Sequence, residues 1–319
     1  MSKKLSIIIP VYGVEKYIEE FILSIINQLK PEVELIIIND GTNDRSIEIV
    51  KEIIKNYDSD IQNCFLFLEQ YNQGQSVARN NGLKKATGEF IGFLDPDDIV
   101  YPTYISSLMD TINENPSVDV IHINAVHIDE RSNKKDILFL AEKTEVLESN
   151  KDYMLNLIKK DLWQPWFRFF NKKFISELYF VPGMLFEDKF IFAELYSKSI
   201  KHVANIEKVL VGYRVHNNSS FNHPKNLDRL LTSAYDGIVK YSSSEQYEMK
   251  LVYVSYLKCY LGLIARKDLK DVKPLIKNMN HYFVGVQSIK DISTSEKLRF
   301  SFPYLFVVVR QLVRKLFNR

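Results

Sequence analysis

Asp95, Asp97 and Asp98 fall within four residues, in the run Asp95-Pro96-Asp97-Asp98, directly after the apolar stretch Phe90-Ile91-Gly92-Phe93-Leu94. Aromatic and β-branched residues in a short apolar stretch suit a buried strand, and Pro96 cannot continue a hydrogen-bonded ladder. Carboxylates gathered at a strand end need neutralising. Hard oxygen ligands of this kind suit Mg2+ or Mn2+, whose remaining ligands are commonly substrate phosphates. The same residues also fit a solvated acidic turn without chemistry, and taken alone they leave both readings open. Further along, Glu187-Asp188 open an apolar helical pattern, where two acids complement a helix N-terminus. Trp163 and Trp166 lie in one aromatic run; their rings either floor a sugar-binding surface by stacking or fill a core.

These groups need a framework. Leu5 to Val11, Val33 to Ile38, Phe65 to Leu68 and Phe90 to Leu94 read as strands. Helical periods fill the intervals at Tyr17 to Gln28, from Asp44 or Ser46 to about Tyr57, and at Ser76 to Lys85. Continuously apolar strands alternating with helices predict an α/β fold with a parallel sheet covered on both faces, its ligand site beyond the carboxyl ends of the strands. Polar clusters fall at those ends. Tyr12, Gly13 and Glu15 follow the first strand, Asn39-Asp40-Gly41 the second, Asn72-Gln73-Gly74-Gln75 the third, and the aspartates the fourth. No Gly-x-Gly-x-x-Gly, Gly-Lys-[Ser/Thr], Gly-x-Ser-x-Gly or Cys-x-x-Cys pattern accompanies them. What remains is a nucleotide site in which a carboxylate such as Asp40 accepts hydrogen bonds from base or ribose, with a metal at the aspartates.

The ordered set Leu5 to Tyr12, Glu34 to Gly41 with Asp44, Asn72-Gln73-Gly74, Ala78-Arg79-Asn80 with Gly82, and Gly88-Glu89 through Phe93 to Asp98 resembles family 2 glycosyltransferases. The resemblance covers about residues 5 to 102. It implies a GT-A (nucleotide-diphospho-sugar transferase) fold, a mostly parallel sheet flanked by helices, and inverting transfer from a nucleotide sugar. It further implies that Asp40 contacts the base, that Tyr12 and Glu15 line the nucleoside pocket together with Pro10, Val11, Gly74 and Pro96, and that Arg79 lies near the nucleotide. Asp95 then faces the donor and Asp97 is the metal ligand of a D-x-D motif. Asp188 is the implied general base, because an acceptor hydroxyl must lose its proton as it attacks, with Glu187 as its positioning neighbour. Tyr213-Arg214-Val215-His216 matches a family pattern in which Arg214 holds the departing diphosphate and His216 the metal.

Val118 to Ile128 reads as another strand, in which His122 and His127 are ordinary strand residues, and a helix is expected from about Asp152 to Lys160. Beyond Asn222 helical periods cover about 227–241, 245–266 and 272–282 without an assignable motif. The overall charge is +2, which gives no reason to expect a nucleic-acid partner. Residues 297–319, however, hold Lys297, Arg299, Arg310, Arg314, Lys315 and Arg319 and no acid. There Leu305, Phe306, Val308, Val309, Leu312, Val313, Leu316 and Phe317 share one half of a helix, opposite Arg310, Gln311, Arg314, Lys315 and Asn318, with Val307 out of place. A basic amphipathic helix suits an anionic membrane surface; packing on its own domain or on a partner subunit is the other reading.

The expected organisation is a GT-A catalytic domain at 1–220, a helical C-terminal domain at 221–298 and a basic tail helix at 299–319. The expected enzyme is a hexosyltransferase-type glycosyltransferase using Mn2+ or Mg2+ and a nucleotide-sugar donor of the UDP class, with a lipid-linked glycan as acceptor. No apolar run is long enough to span a membrane and no secretory leader is visible, so the expected place is the cytoplasm, peripheral on the inner face of the membrane, with a homo-oligomer left open. The competing reading is a catalytically silent nucleotide-sugar-binding or assembly subunit.

Overall fold

A strand can bury every side chain only if both of its faces are covered, and the run Leu5–Val11 (β1) does so, with Val33–Asn39 (β2) close behind. The computed structural model describes residues 2–317 apart from 176–177, 198–199, 217–218, 220 and 291. The chain divides into two compact units, Met1–Asn217 and Asn218–Arg319.

In the first unit β1 and β2 alternate with α1 (Ile18–Ile26), α2 (Ser46–Ile54), the short α3 (Ser59–Gln62), β3 (Phe65–Glu69), α4 (Gln75–Lys85) and β4 (Phe90–Phe93). Then come β5 (Ile99–Val100), α5 (Tyr104–Glu114), β6 (Val120–Ile128), β7 (Lys134–Leu138), β8 (Glu145–Glu148), α6 (Lys151–Lys160), β9 (Arg168–Asn171), α7 (Glu187–Ser197) and β10 (His202–Arg214). One sheet runs β3-β2-β1-β4-β9-β6-β10-β5, with β7 on β6 and β8 on β10. Its N-terminal half, β3-β2-β1-β4, is parallel, as the apolar runs predict. Beyond β4 the sheet is mixed: β9 lies antiparallel to both β4 and β6, and β6 is again parallel to β10. Gly92 on β4 admits β9, since a Cβ there would stand 2.3 Å from the Phe169 ring.

The second half of the sheet is held together by a directed polar chain. Arg168 Nε donates to the Tyr196 hydroxyl, which lies 2.7 Å from His122 Nε2; His122 Nδ1 is 2.9 Å from the Tyr153 hydroxyl, which donates to Asn205 Oδ1. Because each tyrosine proton is committed in this direction, the imidazole proton sits on Nδ1. Burial holds the His122 pKa well below its ordinary value, so the ring is neutral. This histidine belongs to the core.

The second unit contains α8 (Leu227–Ser242), α9 (Tyr247–Ile264), α10 (Leu269–Val284), α11 (Thr294–Ser301) and α12 (Pro303–Phe317). Helix α9 is buried over most of its circumference, and the amphipathic α8 and α10 surround it. The basic segment forms two helices, because Pro303 has no N–H to continue α11 and instead starts α12. Val307 is fully buried there, while Leu305, Val309, Leu312, Val313 and Leu316 are exposed. Asn318 and Arg319 lie outside the described residues. Among the described residues no helix is long and apolar enough to cross a membrane.

Candidate active site

Asp40 stands just beyond β2 and organises the neighbouring strand end. Its Oδ1 accepts hydrogen bonds from Gln70 Nε2 and Gln73 N, both at 2.8 Å, and its Oδ2 accepts from Gly74 N at 2.9 Å. Gly74 takes φ +87°, a conformation that favours glycine, and so turns the chain into α4. Asp40 is 3% exposed, so the structure uses it to pin this loop. Asp40→Ala is expected to cost about 3 kcal/mol, because three donors lose a charged acceptor. Chemical denaturation of the first unit would measure this, and a loss below about 1 kcal/mol would show that water takes its place. Beside it Tyr12 is half exposed beyond β1, and Glu15 Oε2 accepts from Arg45 N at 3.0 Å. Pro10 and Val11 are buried in β1, the latter paired with Asn39.

Helix α4 carries little apolar periodicity, yet it buries Ser76, Ala78, Arg79, Asn80 and Gly82. Arg79 does not lie on a solvated face. The residue is 2% exposed, and its guanidinium donates to Glu187 Oε1 at 2.7 Å and to Asp95 Oδ1 at 2.9 Å and lies over the Phe180 ring. Asn80 clamps the approach to α7: its Nδ2 donates to Phe180 O at 2.7 Å, and Phe180 N donates back to Asn80 Oδ1 at 2.8 Å. Gln75 Nε2 reaches the same Glu187 oxygen at 2.6 Å. Gln75 and Asn80 stand in the sequence motifs without a role of their own and Phe180 in none, because nothing in local spacing signals a contact spanning a hundred residues.

The aspartates form a turn closed by Asp98 N donating to Asp95 O at 3.2 Å, with Pro96 buried inside it. Asp95 and Asp97 are partly open to solvent, whereas Asp98 is buried. Burial raises the pKa of Asp95, with the Arg79 charge opposing it. Burial and then the charges of Asp97 and Asp95 raise Asp98 well above the usual carboxylate range. Asp98 Oδ1 accepts from Arg214 N at 2.8 Å, while its Oδ2 has no hydrogen-bond partner among the described residues. His216 Nε2 lies 2.9 Å from Asp97 Oδ2, which brings two residues far apart in sequence to one point.

Glu187 and Asp188 begin α7. Burial lifts Glu187 to about 7, against the Arg79 charge and with Asp188 adding to the rise. Asp188 is half buried, and its Oδ1 accepts from Lys189 N at 2.6 Å. Immediately before them Phe186 takes φ +68°, a strained backbone for a bulky residue. Directly after it Glu187 reaches Arg79.

Three expected ligand-facing residues stand elsewhere. Trp166 is fully buried against Phe167 and Tyr213, and Trp163 is 4% exposed beside Tyr196, so neither ring has a free face to floor an acceptor. Arg214 is 1% exposed and its guanidinium is already engaged, donating to Glu20 Oε2 at 2.6 Å and to the carbonyls of Asp97, Asp129 and Glu130. It therefore braces the aspartate turn from behind and is not placed to hold a diphosphate.

The donor set fits a hard divalent cation. Among the described residues no three His, Cys, Asp or Glu side chains converge on one point, but Mg2+ and Mn2+ need only one or two carboxylates when substrate phosphates complete the shell. The carboxylates of Asp95 and Asp97 remain partly open to solvent at this strand end, where a cation and substrate phosphates can reach them.

Comparison with known proteins bears on the family and the fold. The family model for glycosyl transferase family 2 matches residues 6–179. The glycosyltransferase GlyA of Streptococcus pneumoniae is 30% identical over 226 residues, 69% of this chain and 32% of GlyA. The uncharacterized glycosyltransferase EpsJ of Bacillus subtilis is 27% identical over 264 residues, 80% of this chain and 71% of EpsJ. The chain thus spans about a third to about half the length of several curated relatives that it matches, GlyA among them. Among solved structures, TarS residues 1–349 of S. aureus in complex with UDP-GlcNAc superposes with a TM-score of 0.68 at 17% identity, covering 97% of this chain and 89% of that one. That likeness bears on the fold and agrees with a GT-A-like α/β architecture. With its family model matched over more than half of its length, the chain belongs to glycosyl transferase family 2.

Proposed function

We propose that the first unit transfers a hexosyl group, with inversion at the anomeric carbon, from a nucleoside diphosphate sugar to a hydroxyl of a growing glycan. The observation that carries this reading is the meeting of Asp95, Asp97, Arg79, Glu187 and His216, drawn from four separate segments, at the carboxyl ends of the parallel strands. In it the donor's base and ribose lie between Tyr12, Glu15 and the Asp40-pinned loop at Gly74, and its diphosphate lies toward Asp95 and Asp97. A uridine nucleotide is the favoured donor class, since the fold neighbour TarS is described with UDP-GlcNAc. A Mn2+ or Mg2+ held by Asp97, with His216 beside it, supplies charge neutralisation for the leaving diphosphate. Asp188 removes the acceptor proton as the hydroxyl attacks, and Glu187, fixed by Arg79 and Gln75, holds Asp188 in register. A silent nucleotide-sugar binder has no physical need of a metal ligand and a base in one site, which favours the transferase.

Asp97→Ala is expected to abolish Mn2+-stimulated release of nucleoside diphosphate from a panel of nucleotide sugars, with release measured with and without EDTA. Metal-stimulated release by the variant at the level of the native protein would remove Asp97 from this role. On the same reading the acceptor is lipid-linked, the protein works at the cytosolic face of an anionic membrane, and self-association is compatible with it. The boundary of the catalytic part falls near residue 217, where the first compact unit ends.

A further inference from the structure

Helix α12 is held to its own unit by its less apolar side. Val307 is fully buried, Gln311 Nε2 donates to Lys267 O at 2.8 Å, and the Arg310 guanidinium lies 3.4 Å from the position a Cβ on Gly262 would take. At 100° per residue the direction opposite Val307 and Gln311 is that of Leu305, Val309 and Leu316. Those residues are 60%, 49% and 73% exposed, and Leu312 and Val313 beside them are 55% and 46% exposed. The strip continues onto α11 through Phe302 and Leu298, 59% and 55% exposed. Exposed apolar groups this numerous and this regular mark a contact surface.

The charge around the strip selects its partner. Arg310 flanks it on one side and Lys315 on the other, with Arg314 behind, all exposed. Lys297 and Arg299 lie on α11, and the Arg299 guanidinium sits over the Phe306 ring at 4.5 Å. Among the described residues Arg299, Arg310 and Arg314 form no ion pair with a carboxylate, and residues 297–319 contain no acid. A second copy laid against this face would set these cations against their own kind, and no e/g-type carboxylate is present to relieve them. An anionic lipid surface relieves all of them, and it accepts an apolar strip at the depth where headgroups give way to acyl chains.

We propose that the outward face of α11 and α12 is a preformed docking surface for an anionic membrane. Leu298, Phe302, Leu305, Val309, Leu312 and Leu316 enter the acyl boundary, and Arg310 and Lys315 on its flanks meet lipid phosphates. This deepens the lipid-linked acceptor reading and depends on it only for its purpose. The surface is built before it meets lipid, because Val307 and Gln311 already fix the helix on the folded unit. Binding therefore needs no new helix.

The test uses the full chain in sedimentation with vesicles of phosphatidylcholine alone and of phosphatidylcholine with phosphatidylglycerol. The protein is expected to pellet with the anionic vesicles and to stay in solution with the neutral ones. Leu312→Gln with Leu316→Gln should weaken binding at least tenfold without moving the melting temperature, since both side chains are exposed. Lys315→Gln should weaken it about fivefold, as one cation is lost from the surface. Far-ultraviolet circular dichroism should show equal helix content free and bound. Failure to pellet with anionic vesicles, indifference to the leucine substitutions, or a gain of helix on binding would each overturn the proposal. So would a concentration-dependent dimer that those substitutions dissolve in the absence of vesicle binding, which would give the face to a second copy. Vesicle binding is read without turnover, so its failure is separate from any failure of the transferase reading.

Discussion

Asp188→Asn is expected to lower kcat for glycosyl transfer by about 10²–10⁴-fold while leaving donor binding within a few-fold of the native protein. Asn keeps a side-chain oxygen that can accept from Lys189 N, so the first turn of α7 survives the exchange. What it removes is the ability to take a proton from the acceptor. The nucleotide lies toward Tyr12, Asp40 and the aspartate turn on the proposed reading, so its affinity reports a different part of the site. Calorimetric titration with nucleoside diphosphate and initial rates with a competent acceptor separate the two effects. A kcat within a few-fold of the native value would show that another group, or water, takes the proton.

Arg79→Met should unfold the first unit at a temperature about 10 °C lower than the native chain. Its guanidinium is the shared counter-charge of Glu187 and Asp95, and removing one member of a buried ion network costs about 3–5 kcal/mol. Methionine keeps most of the side-chain length, so the loss reports charge more than volume. The deficit should also depend on pH. Burial raises Glu187 from its ordinary value of 4.5 to about 7, so the folded state holds the proton more tightly than the unfolded chain does. The stability that goes with this proton is complete below about 4.5 and is lost as pH rises through about 7. Above that range the native chain has Arg79 to face the carboxylate and the variant does not. Melting curves from pH 5 to 8 should therefore show the gap between the two proteins widening. A gap that stays constant would mean that Arg79 acts by packing against Phe180 and not by charge.

The parallel half of the sheet was legible because β1, β2 and β4 are apolar over most of their length, Ser6, Glu34 and Asn39 being the exceptions, and such runs need cover on both faces. The strand β9 was not, since Arg168-Phe169-Phe170-Asn171 sits in an aromatic run whose residues read equally well as a ligand surface. Its place is decided by Gly92, which lies on a strand many residues earlier. Strand β10 begins well before its apolar stretch at Val209–Val211, because Asn205, Glu207 and Lys208 interrupt the pattern while the pairing with β6 resumes after a shift of register. In the site, the motif positions located the aspartate turn and the Glu187-Asp188 pair. The bond between them through Arg79 was hidden, because helix α4 is polar in sequence and buried in fact. The same limit applies to α12: periodicity defines an apolar face, but only packing at Val307 and Gln311 decides that this face points outward.

The position of β6 has a consequence for the chain while it is being made. β6 pairs with β7 near its end, with β9 at its start, and with β10 from Val120 to Ile128. As synthesis passes Leu138, only β7 is available, and much of one apolar edge stays open until Arg214 has been added. At ~5–20 residues per second that wait is on the order of ten seconds. During it the nascent chain presents an unpaired strand edge to any other unfinished copy nearby. The N-terminal half can assemble from neighbours in sequence as it emerges, so the slow and vulnerable stage of biogenesis belongs to the half of the sheet that closes last.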